Sequence, residues 1–207
     1  MKQSMTDILF GVLDKLLQSS LTEWLILICA LLYIILIAFE NSWGWLFGIL
    51  ASALTVYLSF TAQLFLESGL SVFYVVIGVY GWYQWLYGSK EKTELPITRL
   101  SLKNNFLLLL LGALTWIPFG YFAGKYSTQV LPYMDAFITA FSIIATWMTT
   151  KKFIENWIYW IVVDGLAVFL FGYREFYLLA FLNIIYTIIA IAGFLSWRKK
   201  IALSVSR

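Results

Sequence analysis

Long apolar stretches alternate with short polar joints along most of this chain. A helix that crosses a bilayer needs roughly 20 mainly apolar residues, and the sequence offers seven such stretches. They occupy residues 22–39, 43–61, 69–87, 105–123, 133–149, 157–172 and 177–197. Because these spans use nearly the whole chain, the pattern predicts an all-α integral membrane protein with seven transmembrane helices.

A shorter amphipathic segment precedes the first span. Apolar residues recur at helical spacing within Met5–Gln18, with Asp7, Asp14 and Lys15 between them. This pattern predicts a short helix that lies in the membrane interface. The two aspartates, and the lack of a small-residue cleavage site, argue against a secretory signal.

Composition strengthens the membrane interpretation and removes several classes of function. Of the 207 residues, 62% are hydrophobic and 12% are charged, whereas a soluble domain carries about a quarter charged residues. The chain has no His, which excludes histidine bases and histidine metal ligands. A net charge of +3 is too small for a nucleic-acid-binding stripe, and the single Cys29 can form no internal disulfide. Without a P-loop or a carboxylate cluster, we expect no cofactor, no metal site and no catalytic residue.

Positive charge predicts how the helices are oriented, because Lys and Arg in short loops stay on the cytoplasmic side. One set of span ends carries Lys90, Lys92, Arg99, Lys103, Lys151, Lys152, Arg198, Lys199, Lys200 and Arg207. The opposite set carries Lys2, Lys15, Lys125 and Arg174. We therefore expect a multi-pass membrane protein with its C-terminus in the cytoplasm and its N-terminus outside.

Two pairs of similar segments indicate an internal duplication. Glu40-Asn41-Ser42-Trp43-Gly44-Trp45, before the second span, resembles Glu155-Asn156-Trp157-Ile158-Tyr159-Trp160, before the sixth. Gly81-Trp82-Tyr83-Gln84-Trp85 closes the third span, and Gly193-Phe194-Leu195-Ser196-Trp197 closes the seventh. Trp favours membrane interfaces in any case, but four features in the same order favour duplication.

The predicted topology makes the two repeats parallel, since spans one and five start on the same side. Such repeats are related by an axis along the membrane normal. The expected organisation is an N-terminal interfacial helix (1–20), a first three-helix repeat (21–87), a cytoplasmic loop with a linker helix (88–132), a second three-helix repeat (133–200) and a cytoplasmic tail (201–207). A rhodopsin lacks this symmetry, and the last span has no Lys before Lys199 that could carry retinal.

Asp164 is the one ionisable side chain that falls clearly near the middle of a span. Such a group costs about 2.5–3.5 kcal/mol to insert, so it seldom persists without a use. Trp157 and Trp160 precede it at offsets that place all three residues on one helix face. Two indoles and a carboxylate suit a flat aromatic cation. The alternative is that Asp164 bonds a neighbouring helix while the indoles anchor the interface.

Other polar and aromatic side chains could converge on the same midplane cavity as substrate-binding residues. They are Asn183 and Tyr186 on span seven, Tyr80 and Gln84 on span three, Thr139 on span five and Trp116 on span four. Their alternative role is to join neighbouring helices. The small residues Gly48, Ala51, Ser52 and Ala53 on span two are interpreted as packing residues.

The Tyr-Gly-Trp-Tyr-x-Trp segment at 80–85 and the Glu-Asn-Trp-x-x-Trp segment at 155–160 resemble the PnuC family of bacterial vitamin transporters. The resemblance covers roughly residues 24–198. It implies a SWEET-like fold of seven core helices, a homotrimer, and facilitated diffusion of nicotinamide riboside. It also implies that a cytoplasmic kinase phosphorylates the vitamin and thereby drives uptake.

One departure from the family bears on the substrate. Nicotinamide riboside carriers place Asn four residues after the second Trp, whereas this chain has Asp164. An acid there suits the pyridinium of nicotinamide riboside and the thiazolium of thiamine, and suits neutral riboflavin less well. A seven-helix receptor or an intramembrane enzyme is the alternative from another class, although an enzyme would need a second ionisable group near Asp164.

Overall fold

The computed structural model describes residues 5–89, 91, 93–128 and 130–205. This part of the chain forms eight helices: α1 Met5–Gln18, α2 Leu21–Ala38, α3 Gly44–Thr61, α4 Phe65–Tyr87, α5 Leu102–Tyr126, α6 Pro132–Thr150, α7 Asn156–Tyr173 and α8 Tyr177–Val205. The predicted all-α class is confirmed, and each predicted segment corresponds to one helix. Four of the basic residues used to predict orientation, Lys2, Lys90, Lys92 and Arg207, lie outside the described residues.

Five of the described helices are long and apolar enough to cross a membrane. They are α2, α3, α5, α7 and residues Tyr177–Leu203 of α8. Helices α4 and α6 carry more polar side chains, and several of these are buried inside the protein, among them Ser68 and Ser71 on α4 and Thr146 and Thr149 on α6. Helix α8 continues to Val205, eight residues beyond the predicted end of the last span.

Local sequence explains where two of the helices begin. Ser20 caps α2 by accepting a hydrogen bond from the Glu23 backbone N–H, while the Glu23 carboxylate accepts from the Ser20 backbone N–H at 2.7 Å. Ser101 caps α5 by accepting from the Asn104 N–H at 3.3 Å. Both caps satisfy N–H groups that have no partner within the helix. Pro118 lies inside α5, which continues through it to Tyr126.

Four helices end in the same way, with a non-glycine residue in the left-handed conformation just after the helix. Glu40 (φ 65°) follows α2 and Lys152 (φ 50°) follows α6, while Gln63 (φ 60°) follows α3 and Glu175 (φ 62°) follows α7. In each case the next backbone N–H returns to a carbonyl five residues earlier, as from Asn41 to Leu36 at 2.8 Å. This is the Schellman arrangement, which satisfies free carbonyls at a helix end.

Contacts between helices form two groups of three. Helix α3 packs against α2 and α4, and α7 packs against α6 and α8. The groups meet where α2 contacts α8 and where α4 contacts α6, while α5 lies against α6 and α1 contacts α8. Residues 94–101, which lead into α5, are tied to the turn between α6 and α7. Thr98 donates to the Lys152 carbonyl and accepts from the Ile154 N–H, both at 3.0 Å.

Four buried tryptophans form the centre of the interface between the two groups. Trp45 meets Trp85 edge to face at 5.7 Å, and Trp157 meets Trp197 in the same way at 5.4 Å. Trp85 and Trp197 then contact each other at 5.9 Å. Their indole N–H groups cross between the groups, because Trp85 donates to the Thr149 carbonyl at 2.9 Å and Trp197 donates to the Ile37 carbonyl at 3.3 Å.

Glycine makes both edge-to-face contacts possible. A Cβ at Gly81 would lie 2.6 Å from the Trp45 ring, and a Cβ at Gly193 would lie 2.7 Å from the Trp157 ring. Both distances are shorter than any side chain tolerates, so each indole lies directly on the backbone of the helix beside it.

These paired features share one sequence separation. Glu40 and Lys152 are 112 residues apart, and so are the members of the other matching pairs: Gln63 and Glu175, Trp45 and Trp157, Gly81 and Gly193, Trp85 and Trp197. This register aligns Glu40 with Lys152. It therefore differs by three residues from the one that the Glu-Asn pairs predict, in which Glu40 matches Glu155.

Glu40 and Lys152 also contact each other. The Lys152 ammonium lies 2.9 Å from one Glu40 oxygen and 4.5 Å from the centre of the Trp85 ring. Lys200, on α8, lies 2.7 Å from the other Glu40 oxygen. Burial by itself would raise the pKa of the Glu40 carboxyl, but the hydrogen bonds from Lys200 and Lys152 outweigh burial and hold that pKa below its usual range.

Candidate functional site

Helix α7 presents one polar and aromatic face to the interior. The i, i+3, i+7 spacing brings Trp157, Trp160 and Asp164 onto one side of the helix. Trp157 is 1% exposed and Asp164 is 5% exposed, so both are enclosed by protein. The spacing in the sequence therefore predicts this face correctly.

A cavity of about 160 Å³ lies in front of this face. Its wall is formed by Ala30, Tyr33, Ile34, Ile37, Thr149, Trp157, Trp160, Asp164 and Tyr186. These residues come from α2, α6, α7 and α8, so the cavity lies where the two groups of helices meet. An apolar cavity of about 150 Å³ accommodates benzene. The space therefore matches one six-membered ring.

Two polar atoms around the cavity face have no partner. Within the described part of the chain, nothing hydrogen-bonds to Oδ2 of Asp164 or to Nε1 of Trp157, although both atoms are buried. A buried carboxylate oxygen without a donor is costly. A ligand that brings positive charge or an N–H to Asp164 would remove that cost.

Thr149 holds the second indole of the face. Trp160 Nε1 donates to Thr149 Oγ1 at 3.4 Å, and that hydroxyl is within hydrogen-bond distance of the Ala145 carbonyl (2.8 Å) and of Asn156 Oδ1 (3.2 Å). The Asn156 amide in turn donates to the Phe153 carbonyl at 2.6 Å. The network fixes the Trp160 ring relative to the end of α6.

Of the other predicted site residues, Tyr186 lines the cavity. Asn183 lies one turn earlier on α8 and donates to the Leu179 carbonyl of its own helix at 2.8 Å. The Tyr80 hydroxyl is engaged by the Lys151 ammonium, which also lies 4.9 Å from the Tyr80 ring centre.

Three more predicted residues lie away from this lining. Gln84 is in the last turn of α4, where its carbonyl accepts from the Gly88 N–H at 2.8 Å. Trp116 bridges α5 and α6 by donating to the Tyr133 carbonyl at 2.7 Å. Thr139 lines a different, largely apolar cavity of about 460 Å³ between α5 and α6.

Comparison with known proteins identifies the family. A family model described as nicotinamide mononucleotide transporter matches residues 20–199, which is most of the chain and includes the whole cavity lining. The chain belongs to this transporter family. The PnuC resemblance predicted from the aromatic segments is thereby confirmed.

Several relatives of this family member are named transporters. It is 27% identical over 195 residues to the nicotinamide riboside transporter PnuC of Escherichia coli (strain K12), with 82% of each chain covered. It is 23% identical over 161 residues to the riboflavin/roseoflavin transporter RibM of Streptomyces davaonensis, covering 76% of this chain and 75% of the relative. A solved structure, described as the crystal structure of the vitamin B3 transporter PnuC, matches the fold with a TM-score of 0.69 at 19% identity. The match covers 96% of this chain and 92% of that one.

Sequence reasoning missed five cavity residues of this transporter. Tyr33 and Thr149 are polar, and the other three, Ala30, Ile34 and Ile37, are apolar. Tyr33 is the one hydroxyl-bearing side chain of the stretch 24–39, and an isolated hydroxyl in so apolar a span is a usable signal. Thr149 is the last residue of its predicted span, and a polar side chain at that place indicates only that the helix ends. Only the helix packing reveals that it supports Trp160.

Proposed function

We propose that this protein carries nicotinamide riboside across the bacterial inner membrane. In this proposal the pyridinium ring enters the cavity between Trp157 and Trp160, and Asp164 neutralises its charge. Tyr186 contacts the ligand from α8. Tyr80, Gln84, Thr139, Asn183 and Trp116 would contact the ligand only in another conformation of the transporter, since none of them lines the cavity described here.

The observation that carries the proposal is the unpartnered Asp164 oxygen in a cavity with room for one ring. A carboxylate enclosed by indoles recognises an organic cation through charge and through the ring faces. The family to which the chain belongs, and relatives named as nicotinamide riboside transporters, support a pyridinium ligand.

Thiamine remains the alternative of the same fold, because its thiazolium is also a single-ring cation. Riboflavin fits less well, since its fused three-ring system exceeds a cavity of about 160 Å³ and carries no positive charge. A receptor or an intramembrane enzyme is the alternative from another class. The relatives, which are named transporters, favour transport over both.

Calorimetric titration of the detergent-purified protein tests the ligand. We expect selective binding of nicotinamide riboside over thiamine and riboflavin. Asp164→Ala removes the carboxylate, and we expect it to weaken binding about ten-fold or more, or 1.4 kcal/mol. Trp24→Phe is the control for changing a tryptophan of the cavity, since the partly exposed Trp24 indole lies outside the cavity. Unchanged affinity in a folded Asp164→Ala, Trp160→Ala double variant would remove the site assignment.

We further propose that the seven helices α2–α8 all cross the membrane as two parallel three-helix repeats, 21–87 and 133–200, joined by α5. The shared 112-residue separation of helix ends, glycines and tryptophans supports this. The polar α4 and α6 cross because their polar side chains are buried against other helices. Scanning insertion of glycosylation or reporter sites into each joint tests the count of spans.

We propose that the end of the bundle bearing Glu40, Lys152 and Lys200 faces the cytoplasm. The excess of Lys and Arg at that end supports this orientation. In a Cys29→Ser background, Glu94→Cys and Thr128→Cys place one exposed thiol at each end. A membrane-impermeant maleimide applied to whole cells should label only the variant at 128.

Transport by facilitated diffusion, followed by phosphorylation inside the cell, is the proposed mode. Uptake into vesicles should not depend on a proton gradient, and it should stop at equal concentrations unless a kinase and ATP are enclosed. Uptake that collapses with the proton gradient would instead assign Asp164 a coupling role. The homotrimer implied by the resemblance stays a prediction, which native mass spectrometry tests.

A further inference from the structure

Tyr33 is the part of the cavity wall that lies between the ligand space and α3. Its side chain lines the cavity, and its ring also packs against Trp45 with centres 5.7 Å apart. The same ring lies directly over Gly48, where a Cβ would be 2.8 Å from Cδ2 and 3.1 Å from Cε2. Gly48 is therefore the residue that gives the Tyr33 ring its room.

A Tyr33 ring displaced from Gly48 moves away from α3 and towards the cavity. Towards α3 it already contacts Trp45 and the Gly48 backbone, and packed protein leaves no spare volume there. On its other side lies the cavity. Any side chain larger than hydrogen at residue 48 would thus push the ring into the space for the ligand.

The second group of helices distributes bulk in the opposite way. At the shared separation of 112 residues, Gly48 corresponds to Trp160 and Tyr33 corresponds to Ala145, a fully buried residue of the cluster on which Trp160 packs. In the first group of helices, the large Tyr33 on α2 lies against Gly48 on α3. In the second group, the small Ala145 on α6 takes the place of Tyr33, and the indole of Trp160 on α7 takes the place of Gly48.

We propose that Tyr33, resting on Gly48, is a specificity-determining residue that limits the cavity to single-ring organic cations and excludes fused-ring ones. The inference rests on the proposed function, since it concerns the selectivity of the same site. It adds a selection by size to the selection by charge that Asp164 provides.

Binding of two cations of equal charge and different ring number tests the proposal. N-methylpyridinium has one ring and N-methylquinolinium has two, and both are titrated into purified full-length protein. We expect Tyr33→Ala to shift the ratio of their dissociation constants about ten-fold towards the quinolinium. We expect Gly48→Ala to weaken N-methylpyridinium binding about ten-fold, and Tyr33→Ala in the same chain to restore it.

Gly78→Ala is the matched control for crowding between helices of the same group, because Gly78 on α4 faces Ile49 on α3. A Cβ there would lie 2.9 Å from Ile49 Cγ1, as tight as at Gly48, but neither residue lines the cavity. We expect its affinity for N-methylpyridinium to stay within about two-fold of the parent. Equal weakening by Gly48→Ala and Gly78→Ala, or an unchanged ratio in Tyr33→Ala, would overturn the proposal.

A readout without ligand separates this inference from the proposed function. If the parent protein binds neither these cations nor nicotinamide riboside, the proposed function fails. A structure of the Gly48→Ala variant then decides the role of Tyr33. A ring displaced into a smaller cavity supports the inference, and an unmoved ring overturns it. If Gly48→Ala does not fold, the ratio of dissociation constants in Tyr33→Ala decides alone.

Discussion

Removing the Glu40 charge should cost far more stability than removing the nearby Lys200 charge. Glu40→Gln leaves the Lys152 ammonium, which is 3% exposed, without a carboxylate. Breaking a fully buried pair costs about 3–5 kcal/mol. The Glu40 side chain is 20% exposed, so we expect about 2 kcal/mol here, with the remaining contact between Lys152 and the Trp85 ring limiting the loss.

Lys200→Gln removes the outer partner only. The Lys200 side chain is 45% exposed, and an ion pair so accessible to water contributes about 0–1 kcal/mol. Glu40 also keeps Lys152. In a protein of this size 1 kcal/mol corresponds to about 2–4 °C in Tm. We therefore expect Tm to fall by about 4–8 °C in Glu40→Gln and by less than about 4 °C in Lys200→Gln.

Thermal unfolding followed by intrinsic tryptophan fluorescence in one detergent measures both shifts. A double variant, Glu40→Gln with Lys152→Met, removes both charges of the buried pair. Its loss of stability should be smaller than the summed losses of Glu40→Gln alone and Lys152→Met alone. The reasoning would be refuted if Lys200→Gln were as destabilising as Glu40→Gln. Simple additivity in the double variant would refute it as well.

Three further predictions concern the same helices. In the folded protein the pKa of Glu40 lies below its ordinary value of 4.5. The stability that the Glu40 charge contributes is therefore present above pH 4.5 and is lost as pH falls through the folded pKa. We expect plots of Tm against pH for the parent and for Glu40→Gln to converge in acid. Thr149→Val removes the acceptor of the Trp160 N–H, and we expect ligand affinity to fall about three- to ten-fold in calorimetry while the protein stays folded. Gly193→Ala places a Cβ 2.7 Å from the Trp157 ring, and we expect a loss of about 1–3 kcal/mol in thermal unfolding.

The predictions for Thr149 and Gly193 each have a matched control within the chain. For Thr149→Val the control is Thr55→Val, which loses only a bond to the Ala51 carbonyl of its own helix and should leave affinity unchanged. For Gly193→Ala the control is Gly69→Ala, where nothing lies within 4 Å of the new Cβ. Equal losses in variant and control would contradict either prediction. A Tm difference that stays constant down to the lowest pH at which the protein is folded would contradict the prediction for Glu40.

The face of α7 could be predicted because its evidence is local. Trp157, Trp160 and Asp164 share a side through helix geometry alone, and a carboxylate in an apolar span already calls for a partner. The helices themselves followed from length and apolarity. These properties depend on neighbours within a few residues, so no tertiary information was needed.

The rest of the lining depends on how helices pack. The Asn183 amide donates to a carbonyl of its own helix, and the Trp116 N–H donates to a carbonyl of the next helix. Sequence spacing cannot distinguish side chains with such partners from side chains that contact a ligand. Tyr33 enters the cavity wall because Gly48 on another helix makes room for it. The Glu-Asn pairs give a register three residues away from the one at which the helix ends match, Glu40 with Lys152. The pairing of the two Gly-aromatic-x-x-Trp segments, which start at Gly81 and Gly193, has the same 112-residue separation as those helix ends.

The Glu40–Lys152 pair has a consequence for any symmetric version of this architecture. In an assembly of two identical three-helix subunits, a residue at this position would face its own copy across the axis. Two glutamates would repel each other there, and so would two lysines. A single chain containing both halves escapes this restriction, since each half carries its own residue at the shared position. In the proposed two-repeat arrangement, joining the halves covalently therefore permits an ion pair at the axis that no homodimer of either half could form.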